Sequence, residues 1–130
     1  MNITRILATS LCVFVLSLGS QVSAQRTSIY NNPQATYDQA TDLYSKAQYA
    51  AAQVMFDKLA AGEKSNLQAG SEYYAAMCSS QLFHPDATAR FENFVSSYPQ
   101  NVLVNSACFE LGKLALADKD FRKALVSFDK

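Results

Sequence analysis

Apolar residues along this chain recur at three- and four-residue spacing, in short runs separated by polar or proline-containing breaks. From Ala35 onward, Tyr37, Ala40, Leu43 and Tyr44 fall on one helical face, and after Ala47-Gln48 the set Tyr49, Ala52, Phe56 and Leu59 does the same. The pattern predicts two short helices joined by a tight turn. Gly62 is the expected stop, because glycine accepts the left-handed conformation that ends helices. The pattern restarts from Asn66 to Ser80, where Tyr73, Tyr74, Met77 and Cys78 recur. The stretch "FHPD" breaks this run, and Pro85 suits the first turn of the next helix, which carries Ala87, Phe91, Phe94 and Val95. That helix ends at Tyr98-Pro99, since proline cannot continue it and biases Tyr98 away from helical geometry. A third pair spans Val102 to Ala117, a turn over Asp118 to Asp120, and a last helix. Ala107, Cys108, Leu111, Leu114 and Ala115 face inward in its first helix, and Phe121, Ala124, Leu125 and Phe128 in its second. No segment alternates in the manner of a strand, and all are rich in alanine, leucine, lysine and glutamine, so the expected fold is all-α.

The three second helices align on a small-then-aromatic signature: Ala52 with Phe56, Ala87 with Phe91, and Ala124 with Phe128. The phenylalanines stand 35 and then 37 residues apart, and each is followed by an acid: Asp57, Glu92 and Asp129. A ring stands three residues before each alanine, at Tyr49, His84 and Phe121. An alanine facing its partner helix lets the two approach closely, and the aromatic one turn later fills the space between neighbouring pairs. One such match is weak evidence of a repeat; three in phase are strong.

The first residues stand apart from this pattern. Arg5 supplies a positive start, Ile6 to Leu18 an apolar stretch, and Val22-Ser23-Ala24 a small-residue cleavage site before Gln25. Together they predict a secretory signal over residues 1–24. An apolar stretch of 13 residues is too short to cross a bilayer core of about 30 Å, so no membrane span is expected once the signal is removed. Cys12 lies inside this stretch behind Leu11, where a lipid-attachment motif needs a small residue. Residues 25–34 read as a polar lead-in, with repeats expected over 35–64, 66–99 and 101–130.

Composition narrows the function classes. Acids and bases balance at 11 each and are interspersed, which excludes both a highly charged disordered chain and a basic stripe for nucleic acid. Beyond the signal only Cys78 and Cys108 remain, both in apolar helical runs and expected as buried free thiols rather than a disulfide framework. The single histidine, His84, has no partners at metal-ligand spacing and is expected to pack in the core or half-buried in a turn. There is no phosphate-binding glycine loop, nucleophile elbow or histidine–glutamate metal motif. Glu72, Asp86 and Glu110 read as solvated carboxylates. No catalytic residue, metal, cofactor or small-molecule substrate is expected.

With these features the sequence resembles the tetratricopeptide repeat family, a helix-turn-helix unit of about 34 residues. The third unit, "FELGKLALADKDFRKALVSF", matches best, with Leu111-Gly112 in its first helix, Asp120-Phe121 in its turn, and Ala124 and Phe128 in its second. The middle unit supplies the closing proline, Pro99, and has Ala75 in place of the glycine; the first has Ala40 there and no terminal proline. The resemblance covers residues 35–130 and implies a right-handed α-solenoid. The "SYPQN" junction and the signal are most similar to repeats of bacterial envelope proteins that act in outer-membrane assembly and the Tol-Pal machinery.

The resemblance implies a concave surface lined by the first helix of each pair. Carried onto this chain, its inward positions are Tyr37, Thr41 and Tyr44, then Glu72, Tyr73 and Ala76, then Phe109 and Lys113. The lysine, asparagine and arginine set with which some members grip a terminal carboxylate is absent, so an apolar or aromatic groove is expected. The implied function is a non-catalytic scaffold, exported to the periplasm or the outer membrane, that binds other proteins or peptides of the cell envelope. The competing expectation is the amino-terminal repeat segment of a larger exported enzyme. The last helix stops after Phe128 with no closing proline or polar capping helix, which implies that Lys130 is not a natural terminus.

Overall fold

A computed structural model of the chain describes residues 32–62 and 64–129. The expected signal over 1–24 and all but the end of the 25–34 lead-in lie outside the described residues. Six helices follow one another: α1 (Pro33–Ser45), α2 (Tyr49–Ala60), α3 (Gln68–Gln81), α4 (Ala87–Ser97), α5 (Val104–Ala117) and α6 (Phe121–Phe128). The fold is all-α, with no strand among the described residues, as the spacing of apolar positions predicts. The first helix opens two residues earlier than expected, on Pro33, because proline at the first helical position gives up an amide that would have no intrahelical acceptor.

The turn inside each pair is built the same way. Ala47, Phe83 and Lys119, each 36 residues from the last, take left-handed backbone angles with φ of 56°, 56° and 60°. At each, two amides fold back onto the end of the preceding helix. Ala47 N–H donates to the Tyr44 carbonyl at 3.0 Å and Gln48 N–H to Leu43 at 2.9 Å. Phe83 and His84 do the same to Ser80 (3.1 Å) and Ser79 (2.9 Å), and Lys119 and Asp120 to Leu116 (3.0 Å) and Ala115 (2.8 Å). This is the Schellman closure, which satisfies carbonyls a helix end leaves open. None of the three positions is glycine, so each carries a Cβ in a conformation that disfavours it. Gly62, the expected left-handed stop, has no positive φ. The chain leaves α2 there through a right-handed turn, with Ala61 N–H bonded to Asp57 and Gly62 N–H to Leu59.

The links between pairs repeat as well. The Ser65 hydroxyl accepts from Leu67 N–H at 3.3 Å, and the Asn101 side-chain oxygen accepts from Leu103 N–H at 2.9 Å. Both hold the chain in a turn just before a first helix, 36 residues apart.

Helices pack chiefly on their neighbours in sequence. The apolar core falls into two clusters, each made by one pair plus the first helix of the next. Ala40, Ala52 and Phe56 of α1 and α2 pack with Ala75 and Cys78 of α3. Tyr73, Ala76, Phe91 and Phe94 of α3 and α4 pack with Ala107 and Leu111 of α5. Phe56, Phe91 and Phe94 have no exposed surface; burying a phenylalanine contributes about 1.5–3 kcal/mol. In the third pair the Phe128 ring lies directly on Gly112, where a Cβ would stand 2.3 Å from the nearest ring atom. The signature residues therefore mark the helix–helix seam in every pair.

The middle pair differs in register. Ala40 and Gly112 lie seven residues before the left-handed turn residue of their pair, but Ala75 lies eight before Phe83. Ala87 then follows Phe83 by four, where Ala52 and Ala124 follow theirs by five. A constant backbone interval of 36 thus carries signature intervals of 35 and 37. One consequence corrects the expectation for His84. In the frame set by the turns it matches Gln48 and Asp120, not the packing rings, and it is exposed.

Polar contacts join successive pairs. The Gln53 amide of α2 donates to the buried Ser79 hydroxyl of α3 at 2.8 Å, and Gln68 Nε2 donates to the Ala60 carbonyl at 3.1 Å. On the second-helix side, Arg90 of α4 reaches Asp57 of α2 with Nη1–Oδ1 at 2.6 Å and holds Asp86 on its own helix through Nε at 2.6 Å. Lys123 of α6 reaches Glu92 of α4 at 2.8 Å. The acids that follow Phe56 and Phe91 are thus the acceptors for cations on the next pair.

Two predictions follow from this architecture. Ala47→Gly and Lys119→Gly, each removing a Cβ from a left-handed residue, should raise stability by about 0.5–1 kcal/mol in urea melts followed by circular dichroism. A loss at both positions would contradict the turn geometry. The Arg90 guanidinium bonded to Asp86 holds that carboxyl below its ordinary range. A folded value below the unfolded one favours folding above the unfolded carboxylate range and loses that contribution as pH falls toward the folded value. Arg90→Gln should therefore destabilise the fold by about 1 kcal/mol at pH 7. The gap from wild type should narrow below about pH 3, where carboxylates are protonated; a gap constant across that range would remove the ion pairs as its cause.

Candidate functional site

The surface expected to bind partners is the face of α1, α3 and α5. The structure sorts its eight expected residues into three groups. Tyr37, Tyr44 and Tyr73 belong to an aromatic network centred on Tyr74 of α3. The Tyr37 ring stands edge-on to Phe56 at 5.6 Å and to Tyr74 at 6.4 Å. Tyr44 sits between Tyr49 and Tyr74, both at 5.4 Å, and Tyr73 contacts Tyr74, Phe94 and Phe91 at 5.4, 5.6 and 6.0 Å. Edge-to-face contacts at these distances are favourable in their own right. Burial pushes the Tyr44 phenol up to about 12. Tyr37 and Tyr44 keep part of their surface in solvent, but Tyr73 is only 8% exposed and Ala76 beside it is fully buried.

The assignment of Tyr73 and Ala76 to a partner-facing groove is therefore corrected. Both lie in the cluster that joins α3 to α4 and α5, and their side chains hold helices together. Positions carried over from the resemblance could not tell inward toward the groove from inward toward the next pair.

Glu72 forms the second group, together with Tyr98 at the close of α4. The Tyr98 hydroxyl donates to Glu72 Oε1 at 2.8 Å. Burial, then this bond and the carboxylate's charge, raise the Tyr98 phenol to about 12. Glu72 is thus a half-buried anchor for the end of α4 and not a freely solvated acid. Glu110 departs further from the expected solvated face, being only 9% exposed. Its carboxylate accepts two bonds from Lys113 Nζ, at 3.0 and 2.8 Å, which offsets the cost of burying the charge. Asp86, also expected to be solvated, is half-buried and tied to Arg90.

The residues left available are Thr41, Phe109 and Lys113. The Thr41 hydroxyl donates to the Tyr37 carbonyl at 2.9 Å, and the residue is exposed. Phe109 is 56% exposed, with Lys113 Nζ 5.9 Å from its ring centroid, close enough for cation–π attraction. Leu116 is exposed two turns further along α5, so Phe109, Lys113 and Leu116 form one stripe at helical spacing. Leu116 was not among the expected site residues. Its seven-residue interval from Phe109 was the available signal.

The repeat-signature residues sit elsewhere. Ala52, Phe56, Ala87, Phe91, Leu111, Gly112 and Ala124 are buried at helix seams, while Pro99 is exposed in the link before α5. Phe128 keeps 44% of its surface in solvent although its inner edge covers Gly112. Phe121 and Leu125, expected inward, are 70% and 72% exposed, because no other described residue covers that side of α6. Cys78 and Cys108 are buried and unbridged, and burial, then the Asp57 charge, pushes the Cys78 thiol up to about 11.

Among the described residues no group of three or more His, Cys, Asp or Glu side chains could hold a metal ion. None of the described helices is long and apolar enough to cross a membrane. Comparison with protein-family models, with curated proteins and with solved structures returns no match.

Core and surface aromatics on this face should separate cleanly on truncation. Tyr73→Ala should cost about 3 kcal/mol, the range for a buried ring, whereas Phe109→Ala should cost under about 1 kcal/mol. Equal losses in thermal melts would overturn the division between core and available residues.

Proposed function

We propose that this chain is a non-catalytic scaffold of tetratricopeptide type, wound as a right-handed solenoid, that binds other proteins through the exposed stripe on its first-helix face. The single observation that carries this reading is the repetition of one turn, with the same two hydrogen bonds, at Ala47, Phe83 and Lys119. Serial packing of each pair on the first helix of the next supports it. A stack of this kind offers a continuous side to an extended or helical ligand.

The chemistry of the stripe defines what it suits. Phe109 and Leu116 offer apolar contact, and Lys113 adds a positive charge that Glu110 partly offsets. The matching ligand carries an apolar side chain close to an acidic group. An exported location, periplasmic or at the outer membrane, rests on the sequence of residues 1–24. Envelope proteins are accordingly the proposed partners.

The test is a photo-crosslinking amino acid placed at Phe109 of the full chain in cells that produce it, with binding then measured on the purified crosslinked partner. Phe109→Ala and Lys113→Glu should each weaken that binding roughly tenfold, while Val54→Ala on an exposed position of α2 should leave it unchanged. Unaltered affinity in both stripe variants would remove the assignment of this face.

A further inference from the structure

Each of the first two pairs is completed by the pair that follows it, and the same parts are used both times. A bulky residue directly before the small seam residue of the next first helix covers the preceding phenylalanine. Tyr74, before Ala75, stacks on Phe56 at 5.4 Å, and Leu111, before Gly112, belongs to the cluster around Phe91. A cation on the next second helix then reaches the acid after that phenylalanine: Arg90 to Asp57, and Lys123 to Glu92.

The third pair repeats the receiving half of this arrangement with nothing upon it among the described residues. Phe109 and Phe128 meet at 5.7 Å, as Tyr37 and Phe56 meet at 5.6 Å in the first pair. In the first pair Tyr74 closes over both rings; in the third both rings are open to solvent, with Leu125 and Phe121 exposed beside them. Asp129 follows Phe128 as Asp57 follows Phe56, and its carboxylate has no ion-pair partner among the described residues.

We propose that the face formed by α5 and α6 is a docking site for a further helical pair built on the plan of α5 and α6. Its first helix carries a leucine or aromatic directly before alanine or glycine. Its second carries a lysine or arginine that pairs with Asp129. Apolar fit over Phe109, Phe128 and Leu125 and charge complementarity at Asp129 define the site together. A second copy of this chain does not meet that description at its first pair. There the residue before Ala40 is Gln39, and the positions matching Lys123 and Arg90 are Ala51 and Met55. Phe109 is shared with the first-helix stripe, so the two readings are separated at residues only one of them uses: Leu125 and Asp129 for this face, Lys113 and Leu116 for the stripe.

The probe is a synthetic peptide of residues 101–129, which carries Leu111-Gly112 and Lys123, titrated into the full chain and followed by fluorescence anisotropy and hydrogen exchange. Binding should raise protection of α6 amides about tenfold, and a control peptide of residues 32–61 should not bind. Asp129→Lys in the full chain should weaken binding roughly fivefold, and a Lys123→Glu probe should restore it. Should the free peptide prove too little helical, the same hairpin appended after Lys130 through residues 97–100 should raise the Tm and protect α6. Absence of both effects, or binding indifferent to the charge swap, would overturn the proposal. So would concentration-dependent self-association of the full chain that Leu125→Asp abolishes, which would give the face to a second copy.

Discussion

The close approach of paired helices at one small residue is the constraint on which the rest of this structure depends. Ala40, Ala75 and Gly112 are each buried at the seam of their pair, where a longer side chain would force the helices apart. The phenylalanines then fill the volume that close approach leaves at the edge of the pair. Because Phe56 and Phe91 project toward the following pair, neither is covered by its own partner helix alone. The core is thereby divided into clusters that straddle pairs, and stability is shared across each junction.

Turn chemistry reinforces that constraint at a local cost. Each pair reverses through a left-handed residue that is not glycine, and the amide of the following residue reaches back five positions along the helix. The tight reversal leaves no slack between paired helices, so the small seam residues meet the opposite helix at a fixed height. The strain of a Cβ in this conformation is offset by two hydrogen bonds and by the packing that the reversal makes possible.

The all-helical fold and the pairing of helices were legible in the spacing of apolar residues, and so was the burial of Ala52, Phe56, Ala87, Phe91 and Ala124. The left-handed turns were not, because alanine, phenylalanine and lysine at Ala47, Phe83 and Lys119 carry none of the usual signal of glycine. His84 was misplaced for a related reason: the alanine signature runs at 35 and 37 residues while the backbone runs at 36. In the candidate site, Phe109 and Lys113, two of the positions the resemblance implied, are exposed on α5. Tyr73 and Ala76 turned out to be core, since a helix in the middle of a stack has two buried flanks and a one-dimensional pattern does not say which is which. The burial of Glu110 had a signal in Lys113 one turn away, which keeps an acid paired at low exposure.

The links from Asp57 to Arg90 and from Glu92 to Lys123 each join second helices that are separated in sequence by a first helix, α2 to α4 and α4 to α6. They are partly open to solvent, so dissolved ions screen them, whereas the aromatic contacts that join the first helices are insensitive to screening. Rising ionic strength therefore slackens the second helices without slackening the first. The bending stiffness of such a chain is lopsided, and the surrounding salt sets the degree of asymmetry.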